Sequence, residues 1–579
     1  MSDPCSFMPF AMRNISISFL LLIGILFTGC HKKELVVRLA VTTDVHGMIY
    51  PTDLIRGEPS DHSLAHVYQY VTQQREKQDT LFFLLDNGDF LQGQPTVYYY
   101  NFVDTTREHI AARVMNYMGY SAGTVGNHDI EAGPVVYNKV RRELDFSWLA
   151  ANAVHAATGK PYFDPYVILK AGNKKIAVLG LITPGIPHWL PKNLWPEMEF
   201  RDMVETAAQW IPVIEEKEAP DLMVGLFHSG TDASYGGNTE SYLNENAVLL
   251  VAENVPGFDV IFAGHDHQVS NQWIVNTAGD SVLVVDPGSH ARFAGEVTVV
   301  FGADKEPSLS GKIVPMKAYT PSLEFMRDFS GDLQKITDYL EDTITWLEEE
   351  ILGADAIFGP SPMMSLIHQV QLELSGADVS FTAPLSLSAR LKKGPLMVSD
   401  MFQLYRFENM LYKMELSGAE IDRFLEYSAG LWFNTMTGPE DQMLLYKEGE
   451  PGRLANRYYN FSSAAGIEYT VDLTKTAGNR VTIHGFSNGE PFKEQEQYAV
   501  AINSYRGNGG GGHLTRGAGI PANELEGRIL WSTDIDLRYY LMQSLSKEDT
   551  VRAMPLENWI LMPDKWISPA SSLERSYFE

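Results

Sequence analysis

The amino-acid sequence predicts two layered α/β domains that are joined by a long helix. Three observations predict this arrangement. Apolar runs that end in polar residues recur through the first half of the chain. Apolar residues then continue at helical spacing over residues 322–353, and separate helical and strand patterns follow over residues 357–566. Alternating strands and helices of this kind are typical of layered α/β folds, with the two domains separated by the helical stretch.

The first domain is predicted from five apolar runs that are typical of buried strands. Each run is followed at once by polar residues, for example Asp44 after the first run and His228 after the fourth. In layered α/β folds the loops that leave the carboxyl ends of parallel strands converge over the sheet, and ligands bind there. The runs are residues 35–41, 81–85, 176–181, 222–227 and 260–263.

The connection between the domains is predicted to be one long amphipathic helix over residues 322–353. Apolar residues recur every three or four positions and have many acidic neighbours, which is typical of a helix with one buried face. We therefore expect four segments along the chain. They are a signal segment at 1–30, a first domain at 31–320, a connector at 321–356 and a second domain at 357–570.

The N-terminus is typical of an exported protein. Arg13 precedes an apolar run over residues 17–27 that is too short to span a bilayer, and Thr28-Gly29-Cys30 closes it. This ending resembles a bacterial lipobox with Phe27 at the usual leucine, which implies a lipid on Cys30. Met12 is the more ordinary start of such a segment, and an uncleaved membrane anchor is the alternative.

Composition and charge exclude several classes of protein. The chain has 45 Lys and Arg against 73 Asp and Glu, a net charge of −28, so a surface that coats polymeric nucleic acid is not expected. An anionic substrate must therefore meet local positive charge, such as metal ions. Hydrophobic residues make up 45% and charged residues 20%, which excludes a largely disordered or multi-span membrane protein. Both cysteines precede the first domain, so no disulfide framework stabilises the folded part.

Five short segments carry residues that can ligate metals, and each follows a predicted strand or a loop near one. Carboxylate, amide and imidazole groups are the ligands expected for divalent transition metals. A single histidine at a strand end is more often structural, so the evidence lies in the ordered combination. The segments are Asp44-Val45-His46, Gly88-Asp89, Gly126-Asn127-His128-Asp129, His228 and Gly264-His265-Asp266-His267.

This order resembles the five-block pattern of the calcineurin-like metallophosphatases, and the second domain resembles the C-terminal domain of the 5′-nucleotidase family. The resemblance implies a four-layer α/β/β/α metallophosphatase domain joined to a smaller α/β domain that binds substrate. It also implies two divalent metal ions, Mn, Zn, Fe or Co. One ion would be held by Asp44, His46, Asp89 and His267, and the other by Asp89, Asn127, His228 and His265.

The same resemblance implies catalytic residues beside the metals. His128 matches the histidine that stabilises a phosphoryl oxygen or the leaving group in this family. Glu131 occupies the position of its acidic partner, and Asp129 is the competing candidate. Asp86 and Asp266 also lie in these segments, but the family pattern requires no ligand at either, so we expect both to lie behind the metal ligands or to face solvent.

The second domain contains two aromatic segments that resemble the nucleoside pocket of the 5′-nucleotidase family. Tyr459 and Tyr505 would sandwich the base, although an exposed tyrosine in a flexible glycine turn is the alternative from composition alone. Arg390 and Asn409 are further candidate pocket residues. The short motifs are closer to the 2′,3′-cyclic-nucleotide 2′-phosphodiesterase/3′-nucleotidase branch than to the 5′-nucleotidase/UDP-sugar hydrolase branch.

These features together predict an exported, lipid-anchored phosphoesterase, monomeric and located in the periplasm or at the cell surface, that hydrolyses nucleotides in catabolism and salvage. Two alternatives remain open. The first is a 5′-nucleotidase, UDP-sugar hydrolase or sulfur-ester hydrolase with the same metal site. The second is a degenerate, non-catalytic surface-binding lipoprotein.

Overall fold

The structure is a computed structural model that describes residues 34–234, 240–302 and 306–578. The predicted signal segment at 1–30 and the predicted lipidation site at Cys30 lie outside the described residues. Within the described ranges, no helix combines the length and the apolar character needed to span a bilayer.

Two six-stranded sheets form the first domain. Each has a parallel centre, with antiparallel strands at one edge of the first sheet and at both edges of the second. The first sheet has the order Ser308–Pro315, Phe293–Phe301, Leu35–Thr42, Thr80–Asp86, Tyr120–Thr124 and Trp148–Leu149. The second has the order Val269–Val275, Ser281–Pro287, Val260–Phe262, Leu222–His228, Lys174–Ile182 and Tyr166–Ala171.

The two sheets pack face to face around an apolar core. Alternate residues of the first strand, Val37, Leu39 and Val41, share one buried cluster with Val224 and Phe262 of the second sheet. Period-two alternation of this kind directs one face of each strand into the core. Helices cover both outer faces, so the predicted four-layer α/β/β/α arrangement is confirmed. They are Leu64–Arg75, Ile110–Met118 and Pro134–Glu143 on the first sheet, and Met203–Glu218 and Val248–Asn254 on the second.

A five-stranded mixed sheet organises the second domain. Its order is Ser463–Ala465, Val379–Thr382, Gln497–Asn503, Leu411–Ser417 and Ile529–Ser532. Smaller sheets join Gly394–Met397, Thr343–Leu347 and Thr550–Val551, and Val481–Phe486, Ile467–Asp472 and Trp559–Met562. The longer helices are Pro362–Ser375, Gly418–Trp432, Leu537–Leu545 and Asp564–Glu574.

Sequence signals at the helix starts explain two of these helices. Ser417 and Glu420 form a capping box, in which each side chain bonds the other residue's backbone N–H. Ser361 caps the helix that begins with Pro362, a residue suited to the first helical position.

Short elements complete the two domains. The short α-helices are Pro95–Tyr98, Asn127–Glu131, Val398–Leu404 and Ser504–Gly507. The short strands are Thr52–Asp53, Glu58–Pro59, Ala153–His155, Met198–Phe200, Ile351–Leu352, Arg390–Leu391, Tyr446–Lys447 and Glu450–Leu454.

The single long connector helix predicted over residues 322–353 is wrong. The chain forms two helices, Leu323–Asp328 and Ser330–Leu340, and then the strand Thr343–Leu347. This strand pairs with Gly394–Met397, and its β-branched residues suit an extended backbone. Tertiary pairing therefore overrides a helical spacing that extended past the end of the second helix.

The second domain packs against the first around Tyr98. The Tyr98 hydroxyl donates to Asp536 at 3.3 Å, and the Arg538 guanidinium lies 4.9 Å from the centre of the Tyr98 ring. Arg538 is fully buried and forms an ion pair with Glu408 at 3.0 Å. This contact holds the second domain beside the carboxyl ends of the first-domain strands.

Candidate metal centre

Two clusters of potential metal ligands lie where the parallel strands of both sheets end. Within each cluster the ligand atoms are within 4.8 Å of one another. The strands converge there, so residues far apart in sequence meet at one edge. The first cluster contains Asp44, His46 and His267, and the second contains Asp89, His228 and His265.

In the first cluster, hydrogen bonds fix which imidazole nitrogen of His46 faces its neighbours. Nδ1 lies 3.0 Å from the carbonyl oxygen of Gln92, and because a carbonyl only accepts, Nδ1 carries the proton. The unprotonated Nε2 then faces Nε2 of His267 at 3.1 Å. Oδ1 of Asp44 lies 3.3 Å from the same His267 nitrogen. Burial lowers the pKa of His46 to about 3, which keeps its ring neutral.

In the second cluster, His228 is oriented in the same way. Its Nδ1 donates to the carbonyl oxygen of Asn87 at 2.6 Å, which directs Nε2 toward Asn127 Oδ1 at 3.1 Å and Asp89 Oδ2 at 3.2 Å. His265 Nδ1 lies 2.8 Å from the same Asn127 oxygen. Burial lowers the pKa of His228, but the charges of Asp89 and Asp44 outweigh it and raise this pKa to about 10.

The donor set fits two divalent cations. Carboxylate and amide oxygens and imidazole nitrogens converge, and the buried Oδ1 of Asp44 has no hydrogen-bond partner among the described residues. A cation between these groups would balance the carboxylate charges and give the Oδ1 of Asp44 a partner. Mixed nitrogen and oxygen ligation of this kind suits Mn, Fe, Co or Zn. Metal-bound histidines typically donate a hydrogen bond from the other ring N–H to a backbone carbonyl, as His46 and His228 do here.

Backbone strain is concentrated in the same residues. Five of the predicted ligands have positive φ values, a region that costs a non-glycine residue about 1–3 kcal/mol and is frequent at functional sites. These residues are Asp44, His46, Asp89, His265 and His267. Gly126 is required for a different reason, because a Cβ there would lie 2.1 Å from Oδ1 of Asp89.

His128 lies beside these clusters and contacts Glu131. Its Nδ1 is hydrogen-bonded to Oε2 of Glu131, one turn along the helix Asn127–Glu131. Burial lowers the pKa of His128, but the charges of Asp89 and Glu131 outweigh it and raise the pKa to about 10. The ring can therefore donate a hydrogen bond while Glu131 fixes its orientation.

Asp129, the competing partner for His128, has a different set of contacts. Its two oxygens accept hydrogen bonds from the backbone N–H groups of Asp89, Phe90, Leu91 and Gly126, at 2.8–3.0 Å. Asp129 therefore joins two of the loops that carry predicted metal ligands. Asp86 accepts from Thr42 and from the Gly88 backbone, and Asp266 from Thr231, so these two acids also support loops.

The two tyrosine segments of the second domain meet around Arg506. Its guanidinium donates to the carbonyl oxygen of Tyr459 at 2.8 Å and to that of Gly510 at 2.7 Å. Its charged carbon lies 5.6 Å from the centre of the Tyr505 ring. Tyr459 and Tyr505 are both partly exposed, as a ligand-stacking ring must be.

Comparisons with known proteins agree with this architecture. Residues 37–269 match the family described as calcineurin-like phosphoesterase, and residues 348–516 match the 5′-nucleotidase C-terminal domain. The chain combines a calcineurin-like phosphoesterase domain with a 5′-nucleotidase C-terminal domain. It is therefore a hydrolase. The second match begins within the segment predicted as the connector.

Several bacterial proteins resemble this phosphoesterase along most of its length. The 2′,3′-cyclic-nucleotide 2′-phosphodiesterase/3′-nucleotidase of Haemophilus influenzae is 27% identical over 92% of this chain and 88% of its own length. The trifunctional nucleotide phosphoesterase protein YfkN of Bacillus subtilis is 26% identical over 91% of this chain, which spans 39% of that protein. The 5′-nucleotidase precursor structure from Thermus thermophilus shares the fold, with a TM-score of 0.62, 22% identity and coverage of 91% and 100% of the two chains.

Two further residues, Arg390 and Asn409, were predicted to line the nucleotide pocket of the phosphoesterase. Arg390 is exposed and forms an ion pair with Glu350 at 2.8 Å. Asn409 is buried, and its backbone oxygen accepts from the Leu537 backbone at 2.8 Å. The role of these two residues in substrate binding stays a prediction.

Two residues beside the metal clusters were not anticipated from the sequence. Trp189 stacks on His265, with ring centres 5.4 Å apart. His290 packs against His46 and His267 at 5.2 and 5.7 Å, and its backbone N–H donates to the carbonyl oxygen of Asp44 at 2.7 Å. His290 follows the strand Ser281–Pro287 in a polar segment, which is the same signal that indicated the ligands. No sequence signal indicated Trp189.

Proposed function

We propose that this phosphoesterase hydrolyses nucleotides as a dimetal enzyme of the 2′,3′-cyclic-nucleotide 2′-phosphodiesterase/3′-nucleotidase type, in nucleotide catabolism and salvage. The observation that carries the proposal is the position of His128 and Glu131 beside two adjacent ligand clusters. The Haemophilus influenzae relative that bears this name supports the choice of branch. The same name belongs to relatives from Yersinia enterocolitica and Salmonella typhimurium, each 25% identical.

Each part of the site has a role in this proposal. When bound, two divalent ions would lower the pKa of a water and neutralise charge on the phosphate. Asp44, His46, Asp89 and His267 would hold one ion, and Asp89, Asn127, His228 and His265 the other. His128 donates a hydrogen bond to a phosphoryl or leaving-group oxygen, where negative charge develops. Glu131 accepts from Nδ1 of His128 and keeps the opposite nitrogen directed at the substrate.

The second domain supplies the nucleoside pocket. The partly exposed rings of Tyr459 and Tyr505 would stack on the base, and base stacking on an aromatic ring is worth about 1–3 kcal/mol. Every base has a stacking face, so the proposal includes activity on several bases.

A 5′-nucleotidase is the second candidate function. The 5′-nucleotidase of Vibrio cholerae is 22% identical over 67% of this chain, and it supports this alternative. The metal site would be the same, and only the placement of the phosphate relative to the base would differ. A non-catalytic surface protein is disfavoured because the strained ligand loops have no packing reason to persist without a metal.

A substrate panel tests the proposal. Purified protein is treated with EDTA, reloaded with Mn, Fe, Co or Zn in turn, and assayed with 3′-AMP, 2′,3′-cyclic AMP, 5′-AMP and UDP-glucose. We expect activity only after metal addition, with 3′-AMP and 2′,3′-cyclic AMP preferred. Equal or greater activity on 5′-AMP would assign the enzyme to the 5′-nucleotidase branch instead.

Export and lipid anchoring at Cys30 are part of the same proposal, together with a monomeric state. The test is fatty-acid labelling of a membrane fraction from cells that express the wild type or Cys30→Ala. We expect label on the wild type alone. Unlabelled wild-type protein would contradict the anchor but leave the hydrolase proposal intact.

A further inference from the structure

Arg506 is a buried cation without an acidic partner. It is 4% exposed, and among the described residues it forms no ion pair with a carboxylate. Its pKa is lowered by burial. A charge removed from water costs several kcal/mol unless other groups compensate for it, so a site that served only for packing would favour an apolar side chain.

The acceptors that compensate for this charge come from the two segments of the proposed nucleoside pocket. From the first segment, the carbonyl oxygen of Tyr459 accepts at 2.8 Å and Oδ1 of Asn460 at 3.2 Å. From the second, the carbonyl oxygen of Gly510 accepts at 2.7 Å, four residues after Arg506 itself. The fork of a single guanidinium therefore joins segments that are almost fifty positions apart in sequence.

The glycine loop is shaped around this side chain and its neighbouring ring. A Cβ at Gly511 would lie 2.0 Å from Nη1 of Arg506, and one at Gly510 would lie 2.6 Å from Cζ of Tyr505. Only a backbone without side chains can approach both groups so closely. His513, at the end of the loop, adds a second connection through Nε2, which lies 2.8 Å from the carbonyl oxygen of Asn460.

We propose that Arg506 is a positioning residue that fixes the separation of the Tyr459 and Tyr505 rings, and so sets the affinity for the nucleoside part of the substrate. This inference rests on the proposed function. It assigns Arg506 no contact with the reacting phosphate, which is bound at the metal centre in the other domain. Loss of the guanidinium should therefore weaken nucleotide binding and leave the chemical step unchanged.

The test compares two substrates in wild-type protein, Arg506→Met and Arg506→Lys, all loaded with the metal that gives the highest activity. The first substrate is 3′-AMP, and the second is glycerol 2-phosphate, which has no aromatic ring to stack. For Arg506→Met we expect KM for 3′-AMP to rise about tenfold or more. A rise of this size corresponds to losing part of the binding free energy of one base stacked on one ring. The kcat for 3′-AMP and the kcat/KM for glycerol 2-phosphate should stay within about twofold.

Arg506→Lys keeps the charge but loses the fork, so it should behave like Arg506→Met. Arg453→Met is the matched control, because Arg453 is exposed and its one ion pair among the described residues is with Glu450. If Arg506→Met does not fold, Gly511→Ala displaces the same guanidinium from the other side and should give the same selective rise in KM.

Three results would overturn the inference. The first is an unchanged KM for 3′-AMP in a folded Arg506 variant. The second is an equal loss of kcat/KM for 3′-AMP and for glycerol 2-phosphate. The third is wild-type protein that hydrolyses glycerol 2-phosphate but not 3′-AMP. This last result contradicts the proposed function itself, and it is recognised before any variant is compared.

Discussion

The backbone N–H of His128 donates a hydrogen bond to Oδ1 of Asp89 at 2.8 Å. The other oxygen of the same carboxylate lies 3.2 Å from Nε2 of His228. Asp89 therefore orients the loop that carries the proposed catalytic histidine and also belongs to the second ligand cluster. A residue with both contacts couples metal binding to the placement of His128.

Replacement of Asp89 should remove both metal binding and activity. In Asp89→Asn we expect loss of at least one metal ion per chain and a fall in kcat of about a thousandfold or more, because the transition state loses a cation beside it. Metal content is measured by mass spectrometry after gel filtration, and kcat with 3′-AMP or glycerol 2-phosphate.

Asp86→Asn is the matched control for this variant. Asp86 is buried at the end of the strand that precedes Asp89 but belongs to neither ligand cluster, and burial with the nearby Asp129 raises its pKa well above its usual range. Full metal content and near-normal kcat are expected. Equal losses in both variants would contradict the assignment of Asp89 as a ligand.

Glu131→Gln should slow the reaction without loss of metal. The carboxylate holds Nδ1 of His128, and loss of an orienting acid that stabilises a protonated ring costs about ten- to a thousandfold in rate. We expect this loss in kcat with unchanged KM and metal content. His128→Asn should lose at least as much, and the double variant should lose little more, because the two residues act as one unit. A Glu131→Gln enzyme with normal kcat would exclude the orienting role.

Asp129→Ala should instead lower the free energy of unfolding. Four buried backbone N–H groups lose their acceptor, and each unsatisfied group costs about 1–3 kcal/mol, less where water can enter. We expect a loss of about 3 kcal/mol or more, measured by urea denaturation of the metal-free protein. Asp266→Ala is the control, because the backbone N–H groups of Thr231 and Gln268 that donate to Asp266 are partly buried or exposed, and it should lose about 1 kcal/mol or less. Similar values for both variants would contradict this account of Asp129.

The ligand clusters could be predicted from sequence because of where their residues lie along the chain. Asp44, Asp89 and His228 each end or directly follow a buried strand, and parallel strands bring such positions together. The sequence also contained the glycines that the loops require. It contained no sign that five ligands adopt positive φ, because that conformation results from several loops packing against one another.

Other features depend on tertiary contacts that local patterns do not contain. The spacing over residues 322–353 suits a helix, but the partner strand Gly394–Met397 makes residues 343–347 extended. Trp189 reaches His265 only because two loops of the second sheet meet. Arg506 lies beside Tyr505 in sequence, but its contact with Tyr459 forms only when the second domain folds, so no local pattern predicts it.

Tyr459→Ala and Tyr505→Ala should weaken nucleotide binding. Loss of one stacking ring costs about 1–3 kcal/mol, which corresponds to a rise in KM of roughly five- to 150-fold. The expected change is in KM for 3′-AMP, with kcat/KM for glycerol 2-phosphate unchanged. Tyr242→Ala, at an exposed tyrosine of the first domain, serves as the control. Normal KM values in both variants would show that this surface does not bind the nucleoside.

Asp332 should contribute to stability in a pH-dependent way. It lies in the helix Ser330–Leu340 and accepts hydrogen bonds from Arg113 of the first domain at 2.9 and 3.1 Å, and from the hydroxyl of Tyr100. Burial raises the pKa of Asp332, but the bonds from Arg113 and Tyr100 outweigh it and lower the pKa below its usual value. A carboxyl group whose pKa is lower in the folded state stabilises that state at pH values above its unfolded pKa, which is near 3.9. This stabilisation is lost as the pH falls through the pKa of the folded state.

Asp332→Asn should therefore lower the free energy of unfolding at neutral pH by about 1–2 kcal/mol, a modest value because Arg113 remains partly exposed to solvent. The difference between wild type and variant should be constant from about pH 8 to pH 5 and shrink below about pH 4. Urea denaturation of the metal-free proteins across this range measures it. Asp338→Asn, at an exposed acid of the same helix that forms no ion pair among the described residues, should show no such trend. A difference for Asp332→Asn that grows as the pH falls would show that the carboxylate is not held by Arg113 in the folded protein.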